Sequence, residues 1–142
     1  MGDVTVTSRT NLQNEVRFGE GQTFITDEPA SLGGDGAGAD PYTLLLAALG
    51  SCISMTLTLY AQRKGWPLER VEVRLRQQRV HAKDCAECET TADGFVHRIE
   101  RSVRIEGASL TEEQHARLQE IAHKCPVHKT LTSEIVIADA QG

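Results

Sequence analysis

Residues 41–64 read PYTLLLAALGSCISMTLTLYAQRK, and the fold turns on how this stretch is read. Asp40 ahead of Pro41 is a helix start, with Asp as N-cap and the proline ring pre-set for the first turn. Arg63 and Lys64 suit the C-terminal end of the dipole, Gly65 suits the cap, and Pro67 prevents resumption. No charged side chain lies between Pro41 and Gln62, so the run is long enough to span a bilayer. Ser51, Ser54, Thr56 and Thr58 dilute it, and neither flank carries a cluster of Lys or Arg. The flanking segments are amphipathic and need a core, so the sequence predicts a central core helix of a soluble protein and no membrane association.

Working outward, VTVTSR (4–9), NEVRF (14–18) and QTFIT (22–26) read as strands, the last two joined through Gly19–Gly21 as a hairpin. SLGGDGAGADP (31–41) is either a flexible connector or a loop in which backbone approaches backbone. Beyond the helix, VEVRLRQQ (71–78) and FVHRIERSVRIEG (95–107) alternate with period two. Phe95, Ile99, Val103 and Ile105 share a face on which His97 and Arg101 also fall, a position suited to an interface or a polar pocket lining. HAKDCAECETTADG (81–94) is a polar tip between them. Ser109 or Thr111 caps a helix carrying Leu118 and Ile121, Cys125-Pro126 opens a short one, and EIVIAD (134–139) reads as a closing strand. The order β-β-β-α-β-β-α-α-β predicts an α+β fold with an antiparallel sheet and one domain over residues 1–142.

Composition narrows the function. Fifteen basic against twenty acidic side chains give a net charge of -5, which argues against nucleic-acid or polybasic membrane partners. Aromatics at 4% leave no stacking platform for single strands. MGDVTVTSRT has no apolar leader segment, so the expected location is the cytoplasm. Four cysteines are too few for a disulfide scaffold at this length. The glycines at 33, 34, 36 and 38 match no phosphate-binding pattern, and no GxSxG elbow occurs.

The thiols remain. Cys52 lies about 17 Å along its helix, beyond the reach of the N-terminal dipole. It is either a small buried hydrophobe or a nucleophile whose thiolate needs a cation from elsewhere, with Arg9 and Arg17 as candidates. Cys125, before Pro126 and near His123, Lys124 and His128, is either an N-cap with no redox role or a reactive thiol placed where free amides and positive neighbours favour thiolate. Cys85 and Cys88, flanked by His81 and His97, leave open a zinc site, an auxiliary disulfide or two idle thiols.

GGDGAGADPYTLLLAALGSCISMTL (33–57) followed by HKCPVHKTL (123–131) resembles the OsmC/Ohr family of thiol peroxidases, and RKGWPLERVEVRL (63–75) is similar to its OsmC-like branch. The resemblance implies an OsmC-like domain in an intertwined homodimer that reduces organic hydroperoxides and related peroxides without a cofactor. It assigns Cys52 as the attacking thiol and Cys125 as the resolving one, with an external dithiol as reductant. It implies an activating arginine near the first strands, Arg17 in preference to Arg9. Tyr42 stands where Ohr-type members carry a glutamate that holds this arginine, leaving Asp40, Glu28 or the Tyr42 hydroxyl as acceptor. That departure keeps a second reading alive, a small-molecule-binding or stress-response protein without turnover.

Overall fold

The computed structural model describes residues 2–85 and 94–140. The chain forms two compact units, residues 1–47 and 48–142, with the division falling inside the long helix.

In the first unit, β1 (Thr5–Ser8), β2 (Asn14–Phe18) and β3 (Gln22–Thr26) form an antiparallel meander with β2 central. Val16 pairs with Val6 and Phe24, which sets the register. The glycine-rich stretch is a close-approach loop. A Cβ on Gly34 would sit 1.8 Å from the Glu28 carbonyl oxygen, and one on Gly38 would sit 2.1 Å from that of Ile25. Only hydrogen fits at either place. The loop closes around Asp27, whose buried carboxylate accepts the backbone N–H groups of Glu28, Asp35 and Ala37 at 2.8, 3.1 and 3.0 Å. These bonds, Ala37 foremost, hold the Asp27 carboxyl below its ordinary pKa against the opposing effect of burial. At the end of the loop Asp40 caps the helix as the sequence predicts, accepting the Thr43 N–H at 3.0 Å.

The helix α1 spans Pro41–Lys64. Within the second unit its buried residues Leu49, Ile53, Leu57 and Ala61 recur every four positions and make one stripe. That stripe joins a core with Val71, Val73 and Leu75 of β4 (Arg70–His81), Ile99, Val103 and Ile105 of β5 (Phe95–Glu106), and Leu118 and Ile121 of α2 (Glu112–Ile121). β4 and β5 are antiparallel, with Val73 opposite Val103 and Leu75 opposite Arg101. Gly50 permits the close approach, since a Cβ there would meet the Leu75 Cδ1 at 2.8 Å. Thr111 caps α2 in a reciprocal capping box with Gln114. Cys125 caps α3 (Pro126–Leu131) by accepting the His128 N–H on its sulfur at 3.4 Å.

The predicted antiparallel α+β architecture with a long central helix is present, divided into a three-stranded and a two-stranded sheet. The closing strand expected at 134–139 is not. Glu134–Asp139 is irregular and exposed throughout, with Ile137 at 93%. Alternating Ile and Val give a segment the propensity for a strand, but a strand exists only when a neighbour completes its hydrogen bonds. A second apolar surface is also uncovered: Met55 and Leu59 of α1 lie outside the buried stripe, exposed to 64% and 51%.

Candidate active site

The second unit brings Cys52 and Cys125 together. Cys52 follows Leu49 by one helical turn, at the edge of the α1 stripe, and is half-buried. Cys125 is fully buried in the same core. Both thiols are free, and the Cys52 side chain is close enough to raise the pKa of Cys125. The Val127 N–H also donates to the Cys52 sulfur at 3.5 Å, so the first turn of α3 touches both sulfurs, the other through His128. The two thiols that the resemblance pairs thus lie against the same turn of α3.

Their electrostatics differ from the expectation for Cys125. Its position at a helix start does supply amides, and the His128 and Val127 N–H groups lower its pKa. Burial is the larger effect, reinforced by the Cys52 hydrogen bond and charge, and it pushes the Cys125 thiol up. A sulfur with no solvent exposure must give up more hydration to ionise than a few weak N–H···S bonds return.

The cation beside the thiols within this unit is Arg101. Its Nη1 donates to the Ala122 carbonyl at 2.9 Å, and its Nη2 meets His123 Nδ1. Partial burial lowers the guanidinium from its ordinary range, and interaction with Cys125 raises it. His128 completes the cluster, its pKa lowered by burial and by Arg101 and His123. Arg101, His128, His97 and Thr132 share with Leu49, Ile99 and Leu131 a cavity of about 240 Å³. The sequence marks Arg101 as an interface or pocket-lining residue and not as the cation near the thiols, for which it offers Arg17 and Arg9; the cavity lining is what the structure shows.

The other candidates take these places. Arg17 lies on β2 of the first unit, 65% exposed and paired with Glu15 at 3.4 Å. Arg9 follows β1 and is exposed. Asp40 is committed to the α1 cap, its carboxyl held below the usual range by the Thr43 hydroxyl and N–H. Tyr42 is exposed, and Glu28 keeps one buried carboxylate oxygen without a partner among the described residues. Cys85 is disulfide-bonded, which withdraws its sulfur from metal ligation, and Cys88 lies outside the described residues. His81 Nδ1 accepts the Lys83 N–H at 3.2 Å, and His97 Nδ1 contacts the Gln77 amide at 3.2 Å. No group of three or more His, Cys, Asp or Glu side chains able to hold a metal occurs among the described residues.

A family model described as OsmC-like protein matches residues 33–138, which include the glycine loop, α1 and both thiols of the pair. The chain therefore belongs to the OsmC-like protein family. Solved structures agree on the fold. An OsmC-like protein from Mycoplasma pneumoniae is similar with a TM-score of 0.69 at 18% identity, over 92% of this chain and 86% of that one. The organic hydroperoxide resistance protein OsmC of Legionella pneumophila gives 0.64 at 19% identity, over 93% and 89%. The organic hydroperoxide resistance protein OhrB of Bacillus subtilis gives 0.59 at 19%, over 93% and 90%. No curated protein matches the sequence.

Proposed function

We propose that this protein is a two-thiol peroxidase that reduces organic hydroperoxides in defence against oxidative stress. The observation that carries the reading is the pair of free thiols, Cys52 of α1 and Cys125 at the head of α3, which accept neighbouring N–H groups from the first turn of α3. Membership of the OsmC-like family and likeness to proteins named for organic hydroperoxide resistance support it.

Exposure supports the division of roles. Cys52 is reachable from solvent, whereas Cys125 is sealed, so the peroxide meets Cys52. The Cys52 thiolate attacks the terminal peroxide oxygen and the O–O bond breaks. The alkoxide departs as the alcohol after taking a proton, and Cys52 becomes a sulfenic acid. Cys125, held against the same turn of α3, attacks the Cys52 sulfur as thiolate; the S–O bond breaks and hydroxide leaves as water, closing a disulfide. An external dithiol then reduces that disulfide by exchange and is itself oxidised, which suits a reducing cytoplasm. The protein works as a homodimer, a proposal supported by the bare Met55–Leu59 face of α1 and the unpaired apolar segment at 134–139.

The test is consumption of cumene hydroperoxide with dithiothreitol by wild type, Cys52→Ser and Cys125→Ser, together with mass spectrometry of the oxidised protein. The expected result is no turnover in Cys52→Ser, and in Cys125→Ser a sulfenic acid trapped at Cys52 in place of the disulfide. Equal rates in wild type and Cys52→Ser would overturn the proposal and leave the binding-protein reading.

A further inference from the structure

The arginines of β4 and β5 are not alike in their partners. Arg70, Arg74, Arg76, Arg98 and Arg104 each pair with a glutamate on the same two strands. Arg79 lies over the Phe95 ring at 4.7 Å. Arg101, on the opposite face from most of these, has no carboxylate partner among the described residues. Its contacts to Ala122 and His123 engage two nitrogens of a guanidinium that carries five N–H donors. A partly desolvated guanidinium without a carboxylate counterion is unfavourable.

Arg101 opens on the cavity bounded by α1, β5 and α3. Leu49, Ile99 and Leu131 line it with hydrocarbon, Arg101 and His128 give it polar donors, and no Asp or Glu is among its lining residues. In a chain of net charge -5, this is a local reversal of sign. We propose that this cavity is a binding site for a small monocarboxylate with a short apolar body. The Arg101 fork takes the carboxylate, the neighbouring His128 ring donates to it, and the aliphatic walls take the chain.

Three features select that class. A planar fork matches a carboxylate in a way that a point charge does not. A single permanent charge, with His128 driven toward its neutral form by burial, Arg101 and His123, calls for a monoanion over a phosphate dianion. At about 240 Å³ the cavity falls below the range of drug-sized ligands, which limits the body to a handful of carbons. The inference does not rest on peroxide turnover, and its test reads binding alone.

The full-length reduced protein is titrated with hexanoate, and separately with hexanamide, by calorimetry and by methyl NMR of Leu49, Ile99 and Leu131. Saturable hexanoate binding at least about tenfold tighter than hexanamide is expected, as one charge-assisted fork implies. The methyl shifts are expected at those three residues. Arg101→Lys weakens hexanoate binding and Arg101→Gln abolishes it, while His128→Gln, which leaves the Arg101–Ala122 bond intact, weakens it less. The hexanoate–hexanamide comparison needs no variant, so it holds even if an Arg101 variant folds poorly. Equal affinity for acid and amide, no saturable binding in the millimolar range, or undiminished binding in a folded Arg101→Gln each overturns the proposal.

Discussion

Arg101 donates to the Ala122 carbonyl at 2.9 Å, which ties the middle of β5 to the turn immediately ahead of Cys125. The strand therefore positions the buried thiol through one backbone contact. Arg101→Met leaves that carbonyl without its charged donor, at a cost of about 1–3 kcal/mol. Hydrogen exchange should quicken at Ala122 to His128 while the β1–β3 meander is unchanged. Arg101→Lys is expected to recover part of the protection.

The step that closes the disulfide should be governed by ionisation of Cys125. Burial raises its pKa above the ordinary thiol value, so at neutral pH only a small fraction is thiolate. Below that raised pKa the thiolate fraction grows about tenfold per pH unit, and the rate of disulfide formation from the Cys52 sulfenic acid follows it. Stopped-flow measurements from pH 6.5 to 8.5, with one equivalent of peroxide, read this slope directly. A rate flat across the range would mean that Cys125 ionises low.

Leu57 is fully buried at the centre of the α1 stripe, in the core cluster that residues of β4, β5 and α2 share. Leu57→Ala is expected to cost about 2–5 kcal/mol, the usual sum of lost transfer energy and residual cavity. Gly50→Val should be destabilising for the opposite reason, since a Cβ alone already meets Leu75 at 2.8 Å. Urea unfolding of both variants measures the two effects, while Met55→Ala on the exposed face should be nearly neutral in the isolated chain.

Asp27 makes the glycine loop sensitive to acid. Its folded pKa lies below the ordinary carboxyl value because three backbone N–H groups, Ala37 first, bind the ionised form. The stabilisation is complete above the unfolded pKa and is lost as pH falls through the folded one. Loop contacts, followed by NMR of Asp35 and Ala37, should therefore persist at pH 5 and weaken below about pH 4. Asp27→Asn, which retains one acceptor oxygen and no charge, should remove most of this pH dependence.

Ile135 and Ile137 expose apolar side chains on a segment that no strand pairs in the described chain. If a second copy covers them, Ile137→Asp should shift the protein toward monomer in sedimentation velocity, and Met55→Asp on α1 should do so independently. A wild type that sediments as a monomer would refute the homodimer, and a dimer unchanged in both variants would refute these surfaces as its interface.

Much of the fold was legible because it follows from local chemistry. Asp40-Pro41 and Gly65 bracket α1, period-two alternation marks β4 and β5, and Thr111 caps α2, each signal acting within a few residues of itself. The segment at 134–139 carries the same kind of signal and forms no strand. Its propensity was real, but the missing term is a neighbour, which a local pattern does not specify.

The site divides along the same line. From the order of residues alone came the two thiols worth watching, the helix that carries one and the cap formed by the other. What tertiary structure decided is that both sulfurs lie against the first turn of α3, that Cys125 is sealed and hard to ionise, and that Arg101 rather than a lysine or histidine beside it in sequence is the cation that interacts with it. Proximity in sequence sets capping and periodicity because those interactions span one turn or one rung. Burial and charge pairing depend on every element packed around a group, so they exist only once α1, β5 and α3 have closed on one another.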